Sequence, residues 1–554
     1  ANCRIVQLNV HSFVSFRMGS SHSRRQSRIV NTDKGQVVGL RIATEEPRAV
    51  DVFLGIPYAQ PPLRELRFRK PQPCDPWAEV RECKKFERRC VQKDYFLVDR
   101  LTKRKGSEDC LYLNVFTPAW EPPKNGFPVM VFVHGGAFAI QDAEMYGDEG
   151  IARHLVSKGV VVVTIQYRLG YLGFFTTGDK ECPGNWGLWD QTEALKWVQN
   201  NIREFNGDKD NVTLFGQSAG GCSVDLLSLS PHSYNLFHKV CPMSGVGTAS
   251  WTLQEGMVDR CRKRARELGV GEDEHSREVV RRLREVPASK LTVDLAPVDG
   301  VEKAIMENTI NISPVVDGDF LPLHPSILRR SAPPKPRLTG LTKCEAVILL
   351  LNYKSNENSL HEIVERIVPK NAKDRKLVCE DLYNDYMAAG QLSPKYELRR
   401  AFAEAFADRS QNGPTLQMIQ DCLKYTPDAP TYLYVFDHSN PKAYGILSFL
   451  VPIKEATHCT ELSYLFGKGF LGSFKMNDRD LRVLHLFTTA FTNFAKYGDP
   501  NGAKSDERLP IHWPSTNRTS PETHLVFSPS PRISNSFFFG RPRRIVSLLD
   551  GAYL

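Results

Sequence analysis

The chain has 554 residues, is 41% hydrophobic, and carries a formal net charge of +9 from 72 basic and 63 acidic side chains. That is enough apolar material for a large core, and no apolar run reaches the roughly 18 residues of a membrane span. The basic clusters Arg260–Arg266 and Arg281–Arg284 sit beside Glu residues like solvated helix faces, and no recognised module accompanies them, which argues against nucleic-acid binding.

Residues 1–30 read as a flexible tail ahead of one large domain, 31–554. Residues 1–17 lack the sustained apolar core of a signal peptide. Met18-Gly19-Ser20-Ser21-His22-Ser23 fits the M-G-x-x-x-[ST] acceptor for N-myristoylation. If synthesis starts at Met18, Gly19 is the acylated residue and residues 1–17 are upstream sequence. One myristoyl chain holds a membrane only marginally, and Arg24, Arg25 and Arg28 supply a second, basic contact. The competing reading is a basic disordered leader.

Apolar runs at Val129–Val133, Val160–Ile165, Val212–Phe215 and Tyr432–Phe436 alternate with longer helix-like stretches. Such alternation predicts an α/β fold, a mostly parallel sheet covered by helices. No internal repeat or linker divides the chain after Gly35, so the helical segments read as insertions in one domain.

After Val129–Val133 comes His134-Gly135-Gly136-Ala137-Phe138, whose small residues let backbone N–H groups approach a ligand. After Val212–Phe215 comes Gly216-Gln217-Ser218-Ala219-Gly220, and Gly221–Leu229 continues as a helix. A G-x-S-x-G turn between strand and helix exposes its serine and places the next N–H, that of Ala219, as an oxyanion donor. The two motifs in this order predict acyl transfer through a tetrahedral intermediate. From chemistry alone, several acids and histidines after Ser218 qualify as its partners, Asp317 and Asp319 among them.

Further motifs are dense. They include Phe53-Leu-Gly-Ile-Pro-Tyr-Ala-Gln-Pro-Pro62, Leu66-Arg-Phe-Arg-Lys-Pro71, Ser107-Glu-Asp-Cys-Leu-Tyr-Leu-Asn-Val115 and Tyr167-Arg-Leu-Gly170. Gly184-Asn-Trp-Gly-Leu-Trp-Asp-Gln191 and Phe494-Ala-Lys-Tyr-Gly-Asp-Pro-Asn501 complete the series. In this order they resemble the type-B carboxylesterase/cholinesterase family, over about residues 35–550, and most of all its invertebrate intracellular members.

The resemblance implies the α/β-hydrolase fold and a triad of Ser218, Glu345 and His458. It implies an oxyanion hole of the Gly136, Ala137 and Ala219 N–H groups, and no metal or organic cofactor. Asp317 and Asp319 then match a structural loop, and His438 is a structural histidine. Arg67 with Glu108, and Arg168 with Asp190, match positions that form buried ion pairs in relatives. Gln217 stands where many relatives carry Glu, which removes a negative charge near the histidine. Ala137 stands where many have a third glycine.

Cholinesterases carry a tryptophan ahead of the Ser-Glu-Asp-Cys motif, where its ring binds a quaternary ammonium. Residues 94–106 hold no Trp; Tyr95, Phe96, Arg100, Lys103, Arg104 and Lys105 stand there instead, so choline esters are disfavoured. Thirteen cysteines leave at least one unpaired. Cys90 and Cys110 match the first disulfide of secreted relatives, whereas Glu267–Leu291 lacks a cysteine for the second. The expected protein is a cytoplasmic, membrane-tethered serine hydrolase of small or medium hydrophobic carboxylic esters. The alternatives are a non-catalytic adhesion relative and a secreted lipase or hormone esterase; oligomeric state is not legible.

Overall fold

The computed structural model describes residues 25–44, 48–93, 105–271, 274–295, 301–351, 353–449, 451–469, 474–503 and 508–549. Met18 and Gly19, and all but Lys105 of the charged and aromatic residues singled out between 94 and 106, lie outside the described residues. In chain order the strands are β1 Arg25–Asn31, β2 Gln36–Ala43, β3 Ala49–Pro57, β4 Arg81–Glu82, β5 Tyr112–Pro118, β6 Phe127–Val133 and β7 Val161–Ile165. There follow β8 Gly207–Gln217, β9 Lys239–Met243, β10 Arg337–Thr342, β11 Thr431–Phe436, β12 His524–Phe527 and β13 Arg532–Ser534.

Among the described residues these 13 strands make one sheet, ordered β1-β2-β3-β5-β7-β6-β8-β9-β10-β11-β12-β13, with β4 beside β2. From β7 to β12 every neighbouring pair is parallel, and antiparallel strands close both edges. One expectation is corrected here. Residues 25–30, read as tail, belong to β1, because Val30 is buried and pairs with Val37 while Ser27 Oγ accepts the Gly39 N–H.

The central strands are apolar on both faces because both faces are covered. Along β6, Val129, Val131 and Val133 enter one core, and Met130 and Phe132 enter the other. The helix Trp186–Asn201 packs Leu188, Leu195 and Val198 into the first. The helix Asp478–Tyr497 packs Val483, Phe487, Phe491 and Phe494 into the second. Asn477 caps that helix in a reciprocal box with Asp480, and Gly498 ends it at φ 72°. The clusters around Arg260 and Arg281 do lie on amphipathic helices, with Arg264–Glu267 and Arg281–Glu278 ion pairs on their surfaces.

Arg168 and Asp190 form a two-pronged ion pair at 2.7 and 2.8 Å, almost wholly buried, and Asp190 also accepts the Arg168 backbone N–H. Arg67 grips Glu108 likewise, at 2.6 and 2.7 Å. Removing one partner of such a pair strands a buried charge, at about 3–5 kcal/mol. Asp190→Ala is therefore expected to lower the thermal unfolding midpoint, while the folded fraction keeps its turnover number per titrated active site. A fall in turnover per active site at unchanged stability would instead make Asp190 a catalytic group.

Candidate active site

Each candidate residue leaves the carboxyl edge of a central strand, where α/β sheets present their ligand sites. His134–Phe138 follows β6, Ser218 follows β8, and Glu345 lies three residues beyond β10. His458 comes later after β11, yet its position is set by backbone bonds to the neighbouring loop. Cys344 N–H donates to Ala456 O at 2.8 Å, and His458 N–H donates to Glu345 O at 3.2 Å.

The elbow at Ser218 is tight. Ser218 sits at φ 60°, ψ −127°, half-buried, with its N–H on Met243 O, and the helix Ala219–Leu227 starts at once. That start is two residues earlier than the sequence reading. The flanking glycines are required by backbone approach: a Cβ on Gly220 would lie 2.1 Å from Val133 O, and one on Gly216 would lie 2.6 Å from Gly220 O.

His458 Nδ1 and Glu345 Oε2 are 2.6 Å apart in a fully buried contact. The other carboxylate oxygen, Oε1, accepts from Ser244 Oγ and from the Thr342 N–H, both at 2.6 Å. Burial opposes charging the His458 imidazole, but the adjoining Cys459 sulfur and the Glu345 carboxylate outweigh it, and its pKa is raised well above 6.5. The Nε2 face meets the Gln217 side-chain amide at 3.3 Å, and the Cys459 thiol donates to Gln217 Oε1 at 3.3 Å.

Sequence reasoning missed Glu461, which is wholly buried; burial and the nearby Glu345 carboxylate push its pKa up to about 8. That shift favours its uncharged form beside Glu345. Ser244 was missed as well. The three-residue spacing of Glu461 from His458 is its only sequence signal, and burial decides its state.

Among the described residues the N–H groups of Gly136, Ala137 and Ala219 donate to no acceptor, and Gly136 and Ala137 are half-buried. Gly136 has φ 96° and Ala137 φ 53°. The alanine therefore keeps the donor but occupies left-handed backbone, which costs a residue with a Cβ about 1–2 kcal/mol. His134 is no candidate base. Burial lowers its pKa to about 4, and its ring stacks on Tyr167 at 4.5 Å.

The remaining sequence candidates fall elsewhere. Asp317 accepts from the Asp319 and Leu321 N–H groups and from the Asn185 amide, as a structural loop does. His438 meets Asp480 at 2.8 Å, beside Tyr464 and the cap of the helix Asp478–Tyr497. Cys90 and Cys110 stand face to face at disulfide-bonding distance, with Cα atoms 5.0 Å apart.

The fold and this constellation define the class: an α/β hydrolase with a serine elbow. The carboxylesterase family model matches residues 26–538, and the chain belongs to that family. It is 38% identical over 491 residues to the esterase cest-33 of Caenorhabditis elegans, covering 86% of each chain. It is 34% identical to a medium-chain fatty acyl-CoA hydrolase precursor of Anas platyrhynchos, over 88% of this chain and 86% of that one. It is 33% identical to an acylcarnitine hydrolase of Mus musculus, over 93% and 90% respectively. The protein is an enzyme, a serine hydrolase acting on carboxylic esters. No helix among the described residues is long and apolar enough to cross a membrane.

Proposed function

We propose that Ser218 is the nucleophile, His458 its general base and then acid, and Glu345 the group that orients and stabilises the imidazolium. The observation that carries this reading is the buried 2.6 Å contact of His458 Nδ1 with Glu345, on loops beside the Ser218 elbow. Ser218 Oγ attacks the ester carbonyl as its proton passes to Nε2, and that proton then leaves with the alcohol. The N–H groups of Gly136, Ala137 and Ala219 hold the oxyanion, each such donor being worth about 3–4 kcal/mol in comparable hydrolases. Water repeats the sequence on the acyl-enzyme. The substrates are small or medium hydrophobic esters, a reading supported by the names of the duck and mouse relatives, which specify acyl-CoA and acylcarnitine.

The test is p-nitrophenyl acetate and butyrate hydrolysis with the burst recorded, and mass mapping of a fluorophosphonate adduct. Label on Ser218 and a stoichiometric burst are expected; label on another residue would refute the assignment.

The raised pKa of His458 has a kinetic consequence, because only neutral imidazole can take the serine proton. The rising limb of kcat/KM is therefore expected above the ordinary 6.5, with activity lost as pH falls through it. Gln217→Glu puts a negative charge against Nε2 and is expected to move that limb further up; a limb at or below 6.5 in both proteins would refute this.

We also propose that the protein is cytoplasmic and held at membranes through myristoylated Gly19. The acceptor pattern at Met18 and the arginines after it support this reading. Arg28 also donates to Glu204 O at 2.7 Å, so the basic contact falls chiefly to Arg24 and Arg25. A mature N-terminus before Gly19 in intact-mass spectra would overturn it.

A further inference from the structure

We propose that a second site, at the opposite end of the sheet from Ser218, binds a small soluble ligand carrying two or more phosphoryl groups. A cavity of about 910 Å³ opens there, a size typical of small-molecule sites. Its walls include Phe127 at the start of β6, Gly159 just before β7, and Asp208 at the start of β8. The candidate catalytic loops leave the far ends of β6 and β8. A seven-residue strand spans about 23 Å, so the two sites are separate.

The charge of the cavity specifies the ligand. Arg48, Lys124, Arg153, Lys158 and Lys496 line it, and among its described lining residues Asp208 is the one carboxylate. A concave wall with so large an excess of one sign focuses its field on a counter-ion. Two of the cations are braced in place. Arg48 donates to Ser157 O at 2.9 Å and lies 5.5 Å over the Trp120 ring. Lys158 reaches Thr489 Oγ1 at 3.0 Å and His485 Nδ1 at 3.4 Å. The wall's histidines report the same field: burial, then Lys158 and Arg153, lower His154 to about 4, and burial with Lys158 lowers His485. Phosphoryl oxygens supply the dense negative charge and the acceptors that such a wall lacks. Lipid headgroups share this chemistry, but no helix among the described residues is long and apolar enough to cross a bilayer, and a cavity of this volume holds a whole small soluble molecule.

The experiment is calorimetric titration of the full chain with inorganic pyrophosphate and tripolyphosphate, beside the double variant Lys124→Glu/Arg153→Glu. Both side chains are exposed and remote from Ser218, so p-nitrophenyl butyrate hydrolysis by the variant, unchanged, reports correct folding. Saturable binding that weakens at least about tenfold in the variant, and weakens further with added salt, is expected. Absence of saturable binding, or binding equal in both proteins, overturns the proposal. Co-sedimentation with phosphatidic acid vesicles without binding of either soluble probe overturns it too, and assigns the wall to a membrane.

Discussion

Ser218→Ala is expected to lower kcat for p-nitrophenyl butyrate by about a millionfold and to abolish the burst, at an unchanged unfolding temperature. The methyl group fits the space of the hydroxymethyl, so the elbow keeps its φ 60° turn and its N–H bond to Met243 O. On the proposed mechanism, what is lost is the oxygen that forms the acyl-enzyme. The remaining donors hold the carbonyl but leave attack to water, which in comparable hydrolases retains a residual rate about 10³–10⁴ above the uncatalysed reaction. A mutant that kept its burst would place the acyl group on another side chain.

Glu345→Gln carries the second large effect, about 10⁴-fold in kcat. Glu345 Oε1 accepts from Ser244 and from the Thr342 N–H. Those two donors pin the glutamine carbonyl oxygen at that position, so its NH₂ faces His458 Nδ1. An amide donor there forces the imidazole proton onto Nε2, the atom that must receive the serine proton. Shape, packing and substrate affinity are preserved while the base is held in the wrong tautomer. The check is steady-state kinetics with an unchanged KM. Unimpaired kcat would mean that the carboxylate does not choose the tautomer.

Some of this was legible from residues and some was not. Val129–Val133 reads as a doubly buried strand because its environment is apolar on both sides, so no partner needs to be known. The elbow is legible in part for a similar reason: Gly216 answers the approach of Gly220 within five residues, whereas Gly220 answers Val133 of β6. Arg25–Asn31 is the contrary case. Four polar residues followed by Ile29, Val30 and Asn31 show no strand period of their own, and a basic run near the terminus looks the same whether β2 lies alongside or not. Glu461 is harder still, since its charge state depends on burial against Glu345, 116 residues away in sequence. The contact of Gln217 with His458 joins residues 241 apart and exists only in the folded sheet. The left-handed backbone of Ala137 had one sign, the glycine that many relatives carry at its position.

The bonds between the loops after β10 and β11 have an evolutionary consequence. His458 is anchored to Glu345 through backbone and side chain together, and Ala456 and Thr457 are bonded to the same loop, so the segment 441–454 need not carry the histidine to its place. That stretch can be lengthened, shortened or given new side chains while the proton-transfer geometry stays fixed at its far end. One scaffold thereby separates the part that must not drift from a part in which new substrate preferences can be tried.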